Sequence, residues 1–109
     1  MLENNDIKLF TLALGIQDPW QITKLELDNN LNLHIHISFK NGSKFFCKSC
    51  NKMCPVHDTK EKVWRHLNFF EHKTFIHAKV PRIKCDEHKV HLVDVPWASR
   101  KTGFTILFE

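Results

Sequence analysis

Long hydrophobic runs are missing from this chain of 109 residues. Nothing in it approaches the roughly 20 apolar residues of a membrane-spanning helix, so no membrane partner is expected. The opening Met1-Leu2-Glu3-Asn4-Asn5-Asp6 is acidic and polar, which argues against a secretory signal and for a cytoplasmic setting. Glycine is scarce, at three residues, too few to build a glycine-rich loop around a phosphate easily. No G-x-S-x-G elbow and no H-E-x-x-H motif occurs, so the common signatures of serine hydrolases and metalloproteases are absent. There is no low-complexity tract and no long internal repeat.

What remains is short, mixed and basic. The length allows one domain, and a globule this small has a modest core that often gains stability from a metal or from disulfides. Four Cys and eight His supply candidates. In a reducing compartment, clustered Cys more often bind metal than pair with one another. A hydrophobic fraction of 42% with 26% charged residues excludes a disordered chain. The net charge of +4 is unevenly spread: between Lys40 and His91 stand 12 Lys and Arg against 5 Asp and Glu. A local excess of this kind can hold phosphates by displacing counterions, although a solvated lysine-rich face has the same composition.

The pattern predicts an α+β fold of small antiparallel hairpins with a short N-terminal helix. Asp6 is placed to cap a helix through Ile7, Leu9, Phe10, Leu12 and Leu14, ended by Gly15. Leu31, Leu33, Ile35, Ile37 and Phe39 alternate with Asn32, His34, His36, Ser38 and Lys40, the period of a half-buried strand. Leu25 and Leu27 continue its apolar face across a turn at Asn29-Asn30. A second hairpin is expected from about Lys60 to Lys84, with Pro81 demoting the end of its second arm to an edge or bulge. A last strand is expected over Val90–Val95. Thr105–Glu109 resembles the first turn of a helix that continues past the chain end. The division expected is 1–20 for the helix and loop, 21–98 for the β domain, and 99–109 for a linker and helix start.

The cysteines carry the strongest chemistry. Cys47-Lys-Ser-Cys50 is a C-x2-C pair, and Cys85-Asp-Glu-His88 is a C-x2-H pair that begins beyond the second hairpin. Two such pairs, each in a tight turn, form a zinc-ribbon or knuckle pattern in which one Zn²⁺ takes four ligands in a closed tetrahedron. Lys44, Lys48, Lys52, Lys84 and Lys89 would offset the negative charge of three thiolates. Cys54-Pro-Val-His57 repeats the C-x2-H spacing, so six candidates compete for four places. Cys47, Cys50, Cys85 and His88 frame the hairpin from both ends and are preferred, with Cys54 and His57 as alternates. A structural ion is favoured, because no general base is positioned by a recognisable motif; Glu87, beside His88, suits a solvated knuckle residue. His34 and His36 share one strand face and read as polar surface. His66, His72 and His77 suit packing or exposure better than catalysis.

Aromatic and basic residues interleave from Trp64 to Lys73. Trp64, Phe69, Phe70 and Phe75 suit the core of a small sheet. Lys60, Lys62, Arg65, Lys73, Lys79, Arg82 and Lys84 suit phosphate contact as a group.

In order, Cys47-x2-Cys50-x3-Cys54-Pro-Val-His57-Asp58, Trp64-Arg65-His66-Leu67, Val80-Pro81-Arg82, Cys85-x2-His88 and Val95-Pro96-Trp97-Ala98 resemble the N-terminal region of bacterial insertion-sequence transposases of the ISL-three type. Leu9–Gly15, Pro19-Trp20 and Gly103–Glu109 extend the resemblance over nearly the whole chain. It implies a zinc-finger domain that recognises transposon ends, with DNA as partner and self-association within a longer protein. It also implies that the metal-dependent carboxylates that cut and join DNA lie downstream, so no catalysis is expected here. Many relatives carry C-x2-C where this chain has Cys85-x2-His88. An alternative role is a zinc-stabilised protein–protein module for transposase assembly, recognisable by dimerisation without DNA through the first hairpin.

Overall fold

The structure is a computed structural model that describes residues 4–47, 51–85 and 89–97. One helix, α1 (Asn4–Leu14), precedes six strands: β1 (Trp20–Leu27), β2 (Leu33–Phe39), β3 (Lys44–Phe46), β4 (Met53–Phe69), β5 (His72–Lys84) and β6 (Val90–Leu92). The fold is thus mostly β-sheet with one short helix, in keeping with the expected α+β class. No helix among the described residues is long and apolar enough to cross a membrane.

The helix begins before Asp6 rather than at it, so Asp6 lies in the first turn. There its carboxylate favours the positive end of the helix dipole without serving as the cap. The other end matches the expectation. Gly15 has φ 68°, its N–H donates to Leu12 O at 3.2 Å, and the Ile16 N–H donates to Thr11 O at 3.0 Å. This paired closure satisfies two terminal carbonyls and needs a left-handed residue. A Cβ at Gly15 would touch nothing within 4 Å, so Gly15→Ala meets only the backbone penalty. We expect a loss of about 1–2 kcal/mol, measurable by urea unfolding.

The strands form the order β1-β2-β5-β4-β3, with β6 also pairing β5. β1 and β2 make the expected first hairpin, longer at its start than Leu25 and closed at residues 28–32. Asp28 Oδ1 accepts the N–H groups of Asn30 and Asn32, each at 2.9 Å, which fixes that turn. The second hairpin also forms, but β4 starts at Met53 and turns at Phe70-Glu71 into β5. Two elements were not anticipated. The short strand β3 pairs with the start of β4, and β2 joins β5 in parallel, Leu33↔Thr74 through Ile37↔Ala78. The expected last strand is shorter, ending at Leu92. The expected C-terminal helix start lies outside the described residues.

Pro81 is a correction. It lies in the central strand of the sheet, not at an edge. β2 leaves β5 at Ala78 and β6 joins it at Arg82, so Pro81 occupies the gap where neither ladder needs its missing N–H. Its carbonyl accepts Val93 N–H at 3.0 Å.

The core lies on one face of the long sheet. Trp20, Ile22, Leu25, Leu33, Ile35, Ile37, Trp64, Ile76, Ala78 and Val80 are buried together, and Ile7, Phe10 and Leu14 of α1 pack against them. Along β5 the buried positions change parity, from Thr74, Ile76, Ala78 and Val80 to Pro81, Ile83 and Cys85. Side chains alternate across a strand, so this far end of β5 buries its opposite face. That is the cysteine end.

Candidate metal centre and basic surface

The pairing register brings the two cysteine turns together. Val56 is opposite Ile83 in the β4–β5 ladder. The turn that leads into β4 and the turn that follows β5 therefore share one end of the sheet. Each turn is a hairpin. β3 and β4 flank the first, with Phe46↔Met53 as the last pair. β5 and β6 flank the second, with Lys84↔Val90 as the last pair.

The first turn is tightly held. Cys47 N–H donates to Lys52 O at 2.9 Å, and Asn51 N–H donates to Cys47 O at 2.7 Å. Asn51 has φ 57°, a left-handed conformation that asparagine tolerates better than most residues. Cys50 and His88 lie outside the described residues.

Of the six candidate ligands, four can be placed. Cys47, Cys54 and Cys85 are buried, Cys47 completely. Cys54 sits in β4 opposite Phe45, and its Sγ lies 3.5 Å from Lys52 O. His57 is exposed, at the bulge between Val56 and Asp58. Cys54-x2-His57 therefore lies along an extended strand, with Cys54 buried and His57 exposed. Among the described residues, no group of three or more His, Cys, Asp or Glu is arranged to hold a metal ion. Cys47, Cys54 and Cys85 are buried thiols at this end of the sheet, a side chain that Zn²⁺ takes as ligand.

The seven basic candidates do not share one face. Arg65, Lys73 and Lys79 alternate with the buried Trp64, Thr74 and Ala78 and so stand on the outer face. Lys60 and Lys62 fall on the parity of Trp64, the core side. Arg82 is already engaged: its Nε donates to Asp58 Oδ1 at 2.6 Å and its Nη2 to Asp58 Oδ2. The Arg82 guanidinium holds the Asp58 carboxyl below its ordinary range, and the carboxylate raises Arg82 in turn. Lys84 is exposed beside Cys85.

The outer face also holds a histidine network that the alternation of β2 only partly announced. His34 Nε2 donates to Asp28 Oδ2 at 2.8 Å, and His36 Nε2 donates to Glu26 Oε1 at 2.8 Å. From β5, His77 places Nε2 2.7 Å from His34 Nδ1 and stacks on His36 with ring centroids 4.7 Å apart. One of the two nitrogens in the His34–His77 contact donates and the other accepts. Both cannot carry a proton there. His72, nearer the β4–β5 turn, donates from Nδ1 to Leu31 O at 2.7 Å and ties that turn to the first hairpin. His66 is pushed below the usual histidine value by burial.

Burial, and then the neighbouring His36 and His34, push the His77 pKa down. The folded chain thus holds this proton less tightly than the unfolded one. The contribution is full above about pH 6.5 and is lost as pH falls towards the lower folded value. Asp28 acts further down the scale: the hydrogen bond from His34 and the turn amides hold its carboxyl at about 2. Its contribution is present above the ordinary carboxylate range and lost as pH falls through about 2. We expect thermal midpoints to decline below pH 6.5, and His77→Gln to flatten that limb while leaving the acid limb unchanged.

Comparison with known proteins enters here. Residues 43–88 match the family described as the zinc-finger of transposase IS204/IS1001/IS1096/IS1165. The match runs from the start of the first turn's hairpin to His88, and so includes all six candidate ligands. Two curated relatives, each a transposase for insertion sequence element IS1557, come from Mycobacterium tuberculosis strains CDC 1551 / Oshkosh and ATCC 25618 / H37Rv. Each is 23% identical over 111 residues, covering 95% of this chain and 25% of the relative. The chain thus spans about a quarter of their length. No solved structure matches.

Proposed function

We propose that this chain, whose residues 43–88 match the transposase zinc-finger family, is a zinc-stabilised DNA-recognition module of a transposase. The reading is supported by one observation above all: the β3–β4 and β4–β5 registers bring the segments that flank the two expected ligand pairs to the same end of the sheet. Cys47, Cys50, Cys85 and His88 are the ligands of one structural Zn²⁺. Cys54 lines the buried side of the same end, and the exposed His57 stays outside the set. Bound zinc supplies a closed tetrahedral tie and no chemistry. The residues themselves do the rest: the amides of the first turn hold its shape, and Lys52, Lys84 and Lys89 offset the thiolate charge.

DNA, in this reading the transposon ends, meets the outer face through Arg65, Lys73 and Lys79, while Lys84, of opposite parity along β5, adds to the general field at the metal end. Arg82 braces Asp58 rather than reaching phosphate. Lys60 and Lys62 lie on the other side of β4 and contribute to the general field. The module recognises, and cutting and joining belong to other parts of a longer protein. The test is a titration of the zinc-loaded chain against duplexes from the ends of the element that encodes it. The logarithm of affinity should fall linearly with the logarithm of salt concentration. Lys73→Glu with Lys79→Glu should weaken binding and reduce the slope by about 1.8, the counterions of two phosphates. Binding that is absent, or insensitive to salt and to both substitutions, would refute it.

A further inference from the structure

Among the described residues, the two long strands that keep an edge without a strand neighbour are β1, and β4 beyond Pro55; β3 and β6 also keep one but are three residues each. The two edges are not alike. β1 carries a bulge between Ile22 and Lys24, which spoils a ladder on its open side. β4 pairs β5 in unbroken register from Asp58 to His66, so its outer edge is a regular nine-residue run. An edge of that length is a template for another strand.

The side chains along it decide which strand. Lys60, Glu61, Lys62 and Arg65 would repel an arbitrary neighbour, as charged edges usually do. They do not repel a second copy in one particular register. A two-fold axis through Val63 sets Glu61 of each molecule opposite Arg65 of the other. It also sets Lys62 opposite Trp64 and Lys60 opposite His66. No two lysines, arginines or carboxylates meet. An axis through Glu61, Lys62 or Arg65 would set identical charges face to face. An axis through Trp64 would set Glu61 opposite Leu67. An axis between two residues would join the core side of one sheet to the outer side of the other.

We propose that the outer edge of β4 is a self-association surface, on which a second copy of this chain pairs antiparallel across Val63 to make one sheet through two molecules. Val63 is 53% exposed and meets its own counterpart. The Arg65 guanidinium lies 5.3 Å over the Phe75 ring and donates to Asn68 Oδ1 at 2.6 Å. These contacts hold it on the outer face, where Glu61 of the second copy arrives at the spacing of a directly opposed pair. The interaction needs no DNA, and because Arg65 is shared with the recognition reading above, association is read in the absence of DNA. An edge pairing of this size is small for an interface, so it gives a monomer–dimer equilibrium rather than a permanent dimer.

Sedimentation equilibrium of the zinc-loaded chain without DNA tests this. The expected result is reversible dimerisation at micromolar concentration. Glu61→Arg alone and Arg65→Glu alone should each raise the dissociation constant about tenfold, since each creates two like-charge pairs. The double variant, which exchanges the charges, should restore wild-type association. Amide exchange adds a readout in the unmodified chain: alternate amides between Asp58 and His66 should slow as concentration rises. A chain that stays monomeric to hundreds of micromolar overturns the proposal. So does a dimer that is indifferent to both single reversals, or one that the double exchange fails to restore.

Discussion

Removing zinc with a strong chelator should unfold one half of this protein and spare the other. The cysteine end is framed by short strands: β3 and β6 are three residues each. The far end has a core of its own, where Leu33, Ile35 and Ile76 are at most 2% exposed. Structural zinc contributes on the order of 10 kcal/mol to small domains of this kind, comparable to the whole stability of an ordinary domain. Chelation should therefore abolish amide protection at residues 44–56 and 82–92. The β2–β5 ladder, Leu33 through Ile37 against Thr74 through Ala78, should stay protected. Cys47→Ser should reproduce the pattern without chelator, because Cys47 is fully buried and a serine there supplies no thiolate. Uniform loss of protection would mean that the two ends fold as one unit.

The second large effect is expected at Trp20. Its ring meets Phe39 at 6.0 Å, Phe45 at 5.7 Å and Trp97 at 5.0 Å. Trp97 in turn meets Trp64 edge-on at 5.6 Å. Trp20 thus joins the first hairpin to β3, to β4 and to the segment after β6. Trp20→Ala should cost about 3–5 kcal/mol, the range for a buried large aromatic, and lower the thermal midpoint by about 10 °C or more. Phe70→Ala is the control: Phe70 is 83% exposed at the β4–β5 turn, and its removal should shift stability by less than about 0.5 kcal/mol. Calorimetry of the zinc-loaded variants reads both.

Local patterns were legible and long-range ones were not. The alternation from Leu31 to Lys40 placed β2 and its buried face, and Gly15 marked the end of α1, because strand period and a left-handed cap are local properties. The spacing of Cys47, Cys50, Cys85 and His88 pointed to two turns aimed at one point, and the β4–β5 hairpin brings the strands that flank them to one end of the sheet for a local reason, its own tight turn at Phe70-Glu71. The parallel union of β2 with β5 had no local sign. It joins residues 41 positions apart, Leu33 and Thr74, and depends on burying both apolar faces at once. One misreading follows from that. Pro81 was read as an edge because the two partners that share the other side of β5 were unseen. The histidines of β2 lie on the polar face as read, but their contact with His77 forms only across that union. The basic residues were read as one group, but parity along β4 and β5 divides them between two faces, and the Asp58–Arg82 pair needs the register to be known.

The most direct test of the central claim is metal-edge X-ray absorption of the zinc-loaded chain at known stoichiometry. One ion per chain, with three sulfurs at about 2.3 Å and one nitrogen at about 2.0 Å, and with the nitrogen lost in His88→Ala but retained in His57→Ala, is the predicted result. A chain that binds no zinc, or a shell that loses its nitrogen when His57 is replaced, would contradict the account.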